Sequence, residues 1–448
     1  MLTSNTKIRK LILEGNLYLV FFFICFPIMM ANLLQAFYEL VDMFYVGKLG
    51  AMPLAALSLI GPINFLIMVF AMGMSTGSVS LMSKCIGEKT FAKFSKYAGQ
   101  LIFLNFVLSL FVAILILVSL NSILELMGVE GELKELTRSY FYVVIYAIPV
   151  MFLSISVVYI LNAQGESVIA MLLILVANII NFVLDPILMF NLNLGIAGAA
   201  WSTLFSKLMA ALSYLFFTYK LNCGLKVRFK DIIPDINVIR EIINLGLPAA
   251  FGQVMASLSF LIFNHIVIQI SPKFLAAYGM VNNIISFLLL PGMSIGTGII
   301  SIVGQNLGAK NLMRVGDVLK KGFVVTLVIM ITVASFIIFF KESIISIFTV
   351  DLEVIKYANG YLLLAVIGTV GFGLQQVFLG GLVGSGLTKL VMIVVCVRLW
   401  IIRLPAVFAL QHFGILEDSL GYAFIISNYL AFIVLLCLTL TKYWTKVK

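Results

Sequence analysis

The stretch Leu17–Val46, LYLVFFFICFPIMMANLLQAFYELVDMFYV, decides what kind of chain this is. It is apolar over more than the ~20 residues a helix needs to cross a bilayer. It also far exceeds the roughly 7–15-residue core of a signal peptide. It therefore reads as a retained membrane helix behind a short basic start, Lys7, Arg9 and Lys10. One face of that helix is nevertheless polar: Gln35, Tyr38, Glu39 and Asp42 stand at i, i+3, i+4 and i+7. Two carboxylates in such a place need a reason.

The rest of the chain is of the same kind. Its 448 residues are 62% hydrophobic and 11% charged, against roughly a quarter charged in soluble domains. Spanning-length apolar segments recur at 17–46, 52–82, 97–121, 136–162, 168–191, 195–219, 241–270, 274–302, 317–340, 355–381, 388–410 and 420–441. The expected fold is an all-α polytopic membrane protein with twelve transmembrane helices. The loops around Lys84–Lys96, Lys220–Arg240 and Lys310–Lys321 and the tail Lys442–Lys448 are basic. Between them fall Glu130, Glu132 and Glu135, then Asp351 and Glu353, then Glu417 and Asp418. That alternation places both termini in the cytoplasm. It also gives the net charge of +10 a topological meaning, so no nucleic-acid partner is expected. Scattered cysteines without a CxxC pair, and two distant histidines, His265 and His412, argue against a disulfide frame or a zinc site.

A shift of 221 positions lays the chain on itself. Pro27 falls on Pro248, Leu54-Ala55-Ala56 on Leu275-Ala276-Ala277, Gly87 and Lys89 on Gly308 and Lys310, Tyr140 on Tyr361, and Gly165 on Gly386. A shift that spans six helices preserves orientation, so the halves are parallel repeats forming two pseudo-symmetric six-helix lobes. We divide the chain into an N-terminal lobe (1–219), a basic linker (220–240) and a C-terminal lobe (241–448). Transporters commonly place the substrate path between such repeats. The carboxylates are not repeated: Asp42 corresponds to Phe263, Tyr38 to Ser259, and Asp185 to Ala406 or a close neighbour.

A charge at the centre of a membrane helix costs about 2.5–3.5 kcal/mol on insertion scales, so each one calls for an explanation. Asn178, Asn181 and Asp185 share one face of the fifth helix, and Thr203 lies on the sixth. Two carboxylates with amide and hydroxyl oxygens suit a hard cation, and the carboxylates can take protons instead. The competing account pairs these acids with intramembrane bases, for which Lys207, Arg398 and Arg403 are the candidates. Glu39 either joins Asp42 or only tunes it. Lys207 is a substrate-path residue or a counter-ion, and the two arginines read as stabilisers of the second lobe or ligands for lipid headgroups. Pro27 and Pro248 interrupt the hydrogen-bond ladders of the first and seventh helices, where bending is easiest.

Other motifs fail. IGEKT lacks the upstream glycine of a phosphate loop, and GGLVGSG reads as helix packing or a turn. No hydrolytic or redox constellation is present, so neither an enzyme nor an ATP-driven pump is expected.

Two six-helix lobes together with VDMFYVGKLGAMPLAALSL, GQNLGAKN and NFVLDPILMF resemble the multidrug and toxic compound extrusion (MATE) transporters, in particular their DinF-type branch, over essentially the whole chain. The resemblance implies a secondary antiporter of the plasma (inner) membrane that exports cationic or amphipathic organic compounds by alternating access. It implies no cofactor, Na⁺ or H⁺ as the coupling ion, small organic substrates and the lipid bilayer as partners, and a monomer. It places ion coupling at Asp42, Asn181, Asp185 and Thr203, the substrate cavity at Gln35, Tyr38 and Tyr140, and the helix bend at Pro27. Glu39, Asn178 and Lys207 join the cavity by position, although Glu39 and Lys207 stand outside the family pattern and leave the cavity's charge preference open. The alternatives are a lipid-linked precursor flippase, against which twelve helices and an acidic first lobe argue, and an ion channel.

Overall fold

The computed structural model describes residues 4–215 and 226–441. Part of the linker (220–225) and the basic tail Lys442–Lys448 therefore lie outside the described residues. Within them, all regular structure is helical. A short α1 (Ser4–Glu14) leads into the first lobe: α2 (Leu17–Lys48), α3 (Ala51–Gly87), α4 (Phe91–Leu126), α5 (Gly131–Gln164), α6 (Ser167–Pro186, continued by a π-helical turn, Ile187–Asn191) and α7 (Gly195–Leu215). A four-residue α8 (Phe229–Ile232) precedes the second lobe. That lobe contains α9 (Ile236–Ile270), α10 (Pro272–Gly308), α11 (Leu312–Phe339), a short α12 (Lys341–Phe348), α13 (Leu352–Gly384), α14 (Thr388–Cys396), α15 (Leu404–His412) and α16 (Ser419–Leu440). A π-helical segment, Val397–Arg403, joins α14 and α15 into one spanning helix. Among the described residues, 12 helices are long and apolar enough to cross a membrane, six in each lobe.

The helices overrun the apolar segments because their polar ends are helical too. Lys93 and Lys96 sit on α4 and Lys320 and Lys321 on α11, so the basic loops are shorter than the charge pattern suggested. The linker is shortened in the same way: α9 starts at Ile236, capped by the Asp235 carboxylate, which accepts from the N–H groups of Asn237 and Val238. Large apolar side chains on the outside, such as Phe111, Ile114 and Val118 of α4, are exposed as lipid-facing residues should be.

The 221-residue repeat is written into the backbone. Lys89 and Lys310 both adopt positive φ, 62° and 59°, which non-glycine residues seldom do. Gly165 and Gly386 end their helices at φ 83° and 79°. The lobes meet through α3 against α9, α2 against α10, and α3 against α10. Contacts run from the Gly87–Gly308 crossing at the α1 end to Asn32 Nδ2 donating to Ser294 Oγ (2.9 Å) midway along. At the α1 end, the Ala163 carbonyl accepts from Ser83 Oγ (3.2 Å) in the first lobe and from Ser301 Oγ (3.2 Å) and Gln305 Nε2 (3.1 Å) in the second.

The basic N-terminal segment is more than an orientation signal. Arg9 donates to the carbonyls of Ile86 and Gly87, and Arg314 of α11 donates to those of Ile12 (2.8 Å) and Gly15 (2.5 Å). With Ile12 fully buried, α1 straps the two lobes together at this end.

Candidate functional site

The acidic face of α2 turns into the first lobe and meets α6 and α7. Asp42 is 8% exposed and Asp185 fully buried. The two lie within electrostatic reach of each other, and Tyr38 and Tyr140 lie within reach of both. Asn181 orients Asp185. With the amide turned so that both its ends are satisfied, its nitrogen donates to Asp185 Oδ2 (2.9 Å), while its oxygen accepts from Ser202 Oγ (2.8 Å) and the Thr203 N–H (3.3 Å). Oδ1 of Asp42 and Oδ1 of Asp185 are each buried with no hydrogen-bond partner among the described residues. Buried polar atoms are otherwise almost always paired.

Two rungs join α2 to α7. Thr203 Oγ1 donates to its own Ala199 carbonyl (3.1 Å), so in the 2.8 Å contact with Tyr38 Oη it is the tyrosine that donates. One turn along, Lys207 Nζ donates to Gln35 Oε1 (3.2 Å), and Gln35 Nε2 donates to Glu39 Oε1 (3.3 Å). The lysine also lies over the Tyr38 ring, 5.7 Å from its centroid. Asn178 ties α6 to α2 by donating to the Leu34 carbonyl (2.8 Å). A small cleft between α5, α6 and α7, lined by Ser154, Leu173 and Ala177, opens beside Lys207.

This geometry separates the two accounts of the acids. Among the described residues no ion pair reaches Asp42 or Asp185. Lys207 meets Glu39 only through Gln35, so partial charge compensation fits that pair alone. Arg398 and Arg403 stand in the other lobe and donate to Asn428 and Ser427. They do not serve the acids.

Two separate segments, 27–187 and 248–409, match the MatE family model and together cover well over half of the sequence. The chain belongs to the MatE family. It is thus a multi-pass membrane transporter and not an enzyme. The two matched segments begin at Pro27 and Pro248, the residues paired by the 221-residue shift. Similar curated proteins include the probable multidrug resistance protein YoeA of Bacillus subtilis, 27% identical over 399 residues, covering 87% of this chain and 86% of that one. The multidrug export protein MepA of Staphylococcus haemolyticus is 25% identical, with 83% and 82% covered. A multidrug resistance MATE family transporter solved in its outward-facing conformation superposes with a TM-score of 0.92 at 22% identity, covering 99% of both chains.

Within this MatE-family fold the polar first-lobe residues singled out in the sequence fall into one neighbourhood. Asp42, Asn181, Asp185 and Thr203 converge with Tyr38 and Tyr140, and Gln35, Glu39 and Lys207 form the adjoining rung. Pro27 lies lower on α2, which runs through it as one helix, and is buried near the contact of Cys25 with Gly298. Sequence reasoning missed Ser202. A serine just after the small residues Gly198-Ala199-Ala200 reads as helix packing, and only the approach of α6 reveals its bond to Asn181.

Proposed function

We propose that the chain is a secondary antiporter that exports cationic or amphipathic organic compounds in exchange for Na⁺ or H⁺, with Asp42 and Asp185 as the coupling groups. The relatives' names, multidrug resistance and multidrug export, support the substrate class. The observation that carries the coupling is the pair of buried carboxylates, each with an unpartnered oxygen and no basic neighbour, in one lobe only. Buried like charges at short range cannot both stay ionised without compensation, so a cation or protons must neutralise them. Asn181 and Thr203 supply neutral oxygens for either ion.

The mechanism follows from that repulsion. Open to the outside, the pair takes up Na⁺ or protons and the repulsion between α2 and α6 falls. With less to hold it apart, α2 bends at Pro27, the cavity beside Gln35, Tyr38, Glu39, Tyr140, Asn178 and Lys207 contracts, and substrate leaves. The ion drives this exchange because it binds the two states differently. The same proposal includes cytoplasmic termini, the plasma membrane and a monomeric transporter. Substrate efflux from proteoliposomes under separately imposed Na⁺ and pH gradients tests it: one of the two must drive export in the wild type and fail to do so in Asp42→Asn.

A further inference from the structure

Among the described residues, two arginines in the membrane-spanning part of the second lobe have no acid to neutralise them. Arg398 and Arg403 both belong to the π-helical segment Val397–Arg403. Five residues apart, they would stand about 140° apart around an α-helix. The i→i+5 bonding of the π segment brings them round towards one face. Both converge on a single neutral oxygen: Arg398 Nη1 and Arg403 Nη2 donate to Asn428 Oδ1 at 3.1 and 2.8 Å. Arg403 Nε also donates to Ser427 Oγ (2.8 Å), and Asn428 is fixed by its own bond to the Gly368 carbonyl (2.9 Å).

The surroundings are aromatic, not acidic. Arg403 lies over Phe424 (4.5 Å) and Phe263 (5.9 Å), and Arg398 over Phe372 (5.5 Å). Tyr278 and Tyr361 lie within electrostatic reach of Arg403. No Asp or Glu occurs in α10, α14, α15, α16 or α9 beyond Glu241, and α13 has only Glu353 in its first turn. Arg398 is 7% exposed, yet its Nε is buried with no acceptor. A narrow crevice lined by Ser259, Phe263, Leu399, Trp400 and Leu404 runs between α9 and this helix, its Leu399 and Leu404 adjoining Arg398 and Arg403 in sequence. Its walls include the repeat counterparts of first-lobe residues: Phe263 replaces Asp42 and Ser259 replaces Tyr38. The acids of the first lobe thus have uncharged counterparts here, and the second lobe carries its buried charge on arginines instead.

We propose that Arg398 and Arg403 form an oxyanion-binding site that takes the carboxylate or phosphate group of an amphipathic organic molecule, whose apolar body rests on the surrounding rings. Charged donors favour an anionic oxygen over a neutral one, and aromatic walls accept varied apolar bodies. The site is independent of the ion coupling at Asp42 and Asp185, so equilibrium binding without any gradient tests it separately.

The test compares binding of dansyl-phenylalanine, a carboxylate, with binding of its uncharged methyl ester to the purified full chain, followed by fluorescence anisotropy. The wild type should prefer the carboxylate roughly tenfold or more, the scale of one charge-assisted hydrogen bond. Arg398→Gln/Arg403→Gln should lose that preference while still binding the ester, which shows that the lobe is folded. Arg403→Lys, which keeps the charge, should retain part of it. Competition then identifies the source of the anion at the same site. Displacement by inorganic phosphate indicates a free anion, and weaker probe binding in phosphatidylglycerol than in phosphatidylcholine nanodiscs indicates a lipid headgroup. Absence of any carboxylate preference in the wild type, or an undiminished preference in the double Gln variant, overturns the proposal.

Discussion

Gly87 and Gly308, 221 residues apart, cross so closely that a Cβ on either would stand 2.1 Å from a backbone oxygen of the opposing helix, Gln305 O in one case and Lys84 O in the other. Only backbone-to-backbone packing fits there, and it is the point at which the two repeats touch as equals. Gly308→Ala should therefore destabilise the protein by about 1–3 kcal/mol, the usual cost of overpacking. Gly47→Ala, where nothing lies within 4 Å of the added carbon, should leave the thermal midpoint nearly unchanged. Thermal unfolding of the two variants in the same detergent checks the contrast.

The Tyr38–Thr203 bond predicts a different signature. Tyr38→Phe and Thr203→Val each remove the same contact, worth about 1 kcal/mol net. The double variant should thus be no more than slightly less stable than the worse single one. Fully additive losses would show that the two hydroxyls act separately.

Asp235 gives a pH dependence outside the membrane. The Lys96 ammonium beside it, and then the N–H groups of Val238 and Asn237, hold its carboxyl below the usual carboxylate range. A depressed folded-state value means that this stabilisation is present above the unfolded value, about 3.9, and is lost as the pH falls through the folded one. Asp235→Ala should lower the thermal midpoint at neutral pH, and the gap to the wild type should close on acidification below pH ~4. A gap that is constant with pH would mean that the loss comes from packing and not from the charged cap.

Much of the architecture was legible in the sequence, because each spanning helix must satisfy its own backbone and so declares itself as a long apolar run. Pro27 with Pro248 and Gly165 with Gly386 gave the repeat; both prolines lie within long helices and the two glycines share a positive φ. The π segment at Val397–Arg403 was not legible. It depends on one residue's worth of slack in the ladder, and no composition marks that. Nor was the docking of α1: Arg9 reads as a topology signal, and only the fold brings the carbonyls of Ile86 and Gly87 within its reach. At the site, the shared face of Gln35, Tyr38, Glu39 and Asp42 followed from helical spacing. Their partners did not, since the pairing of Tyr38 with Thr203 and of Gln35 with Lys207 is set by how α2 and α7 slide past each other.

The central claim is that Asp42 and Asp185 couple ion entry to export. Its most direct measurement is gradient-driven efflux of a cationic dye from proteoliposomes containing the wild type, Asp42→Asn or Asp185→Asn, at matched protein content and with folding checked by thermal midpoint. The account predicts that an inward Na⁺ or H⁺ gradient drives export by the wild type, and that each folded variant falls to the level of protein-free liposomes. Full gradient-driven export by both variants would contradict it.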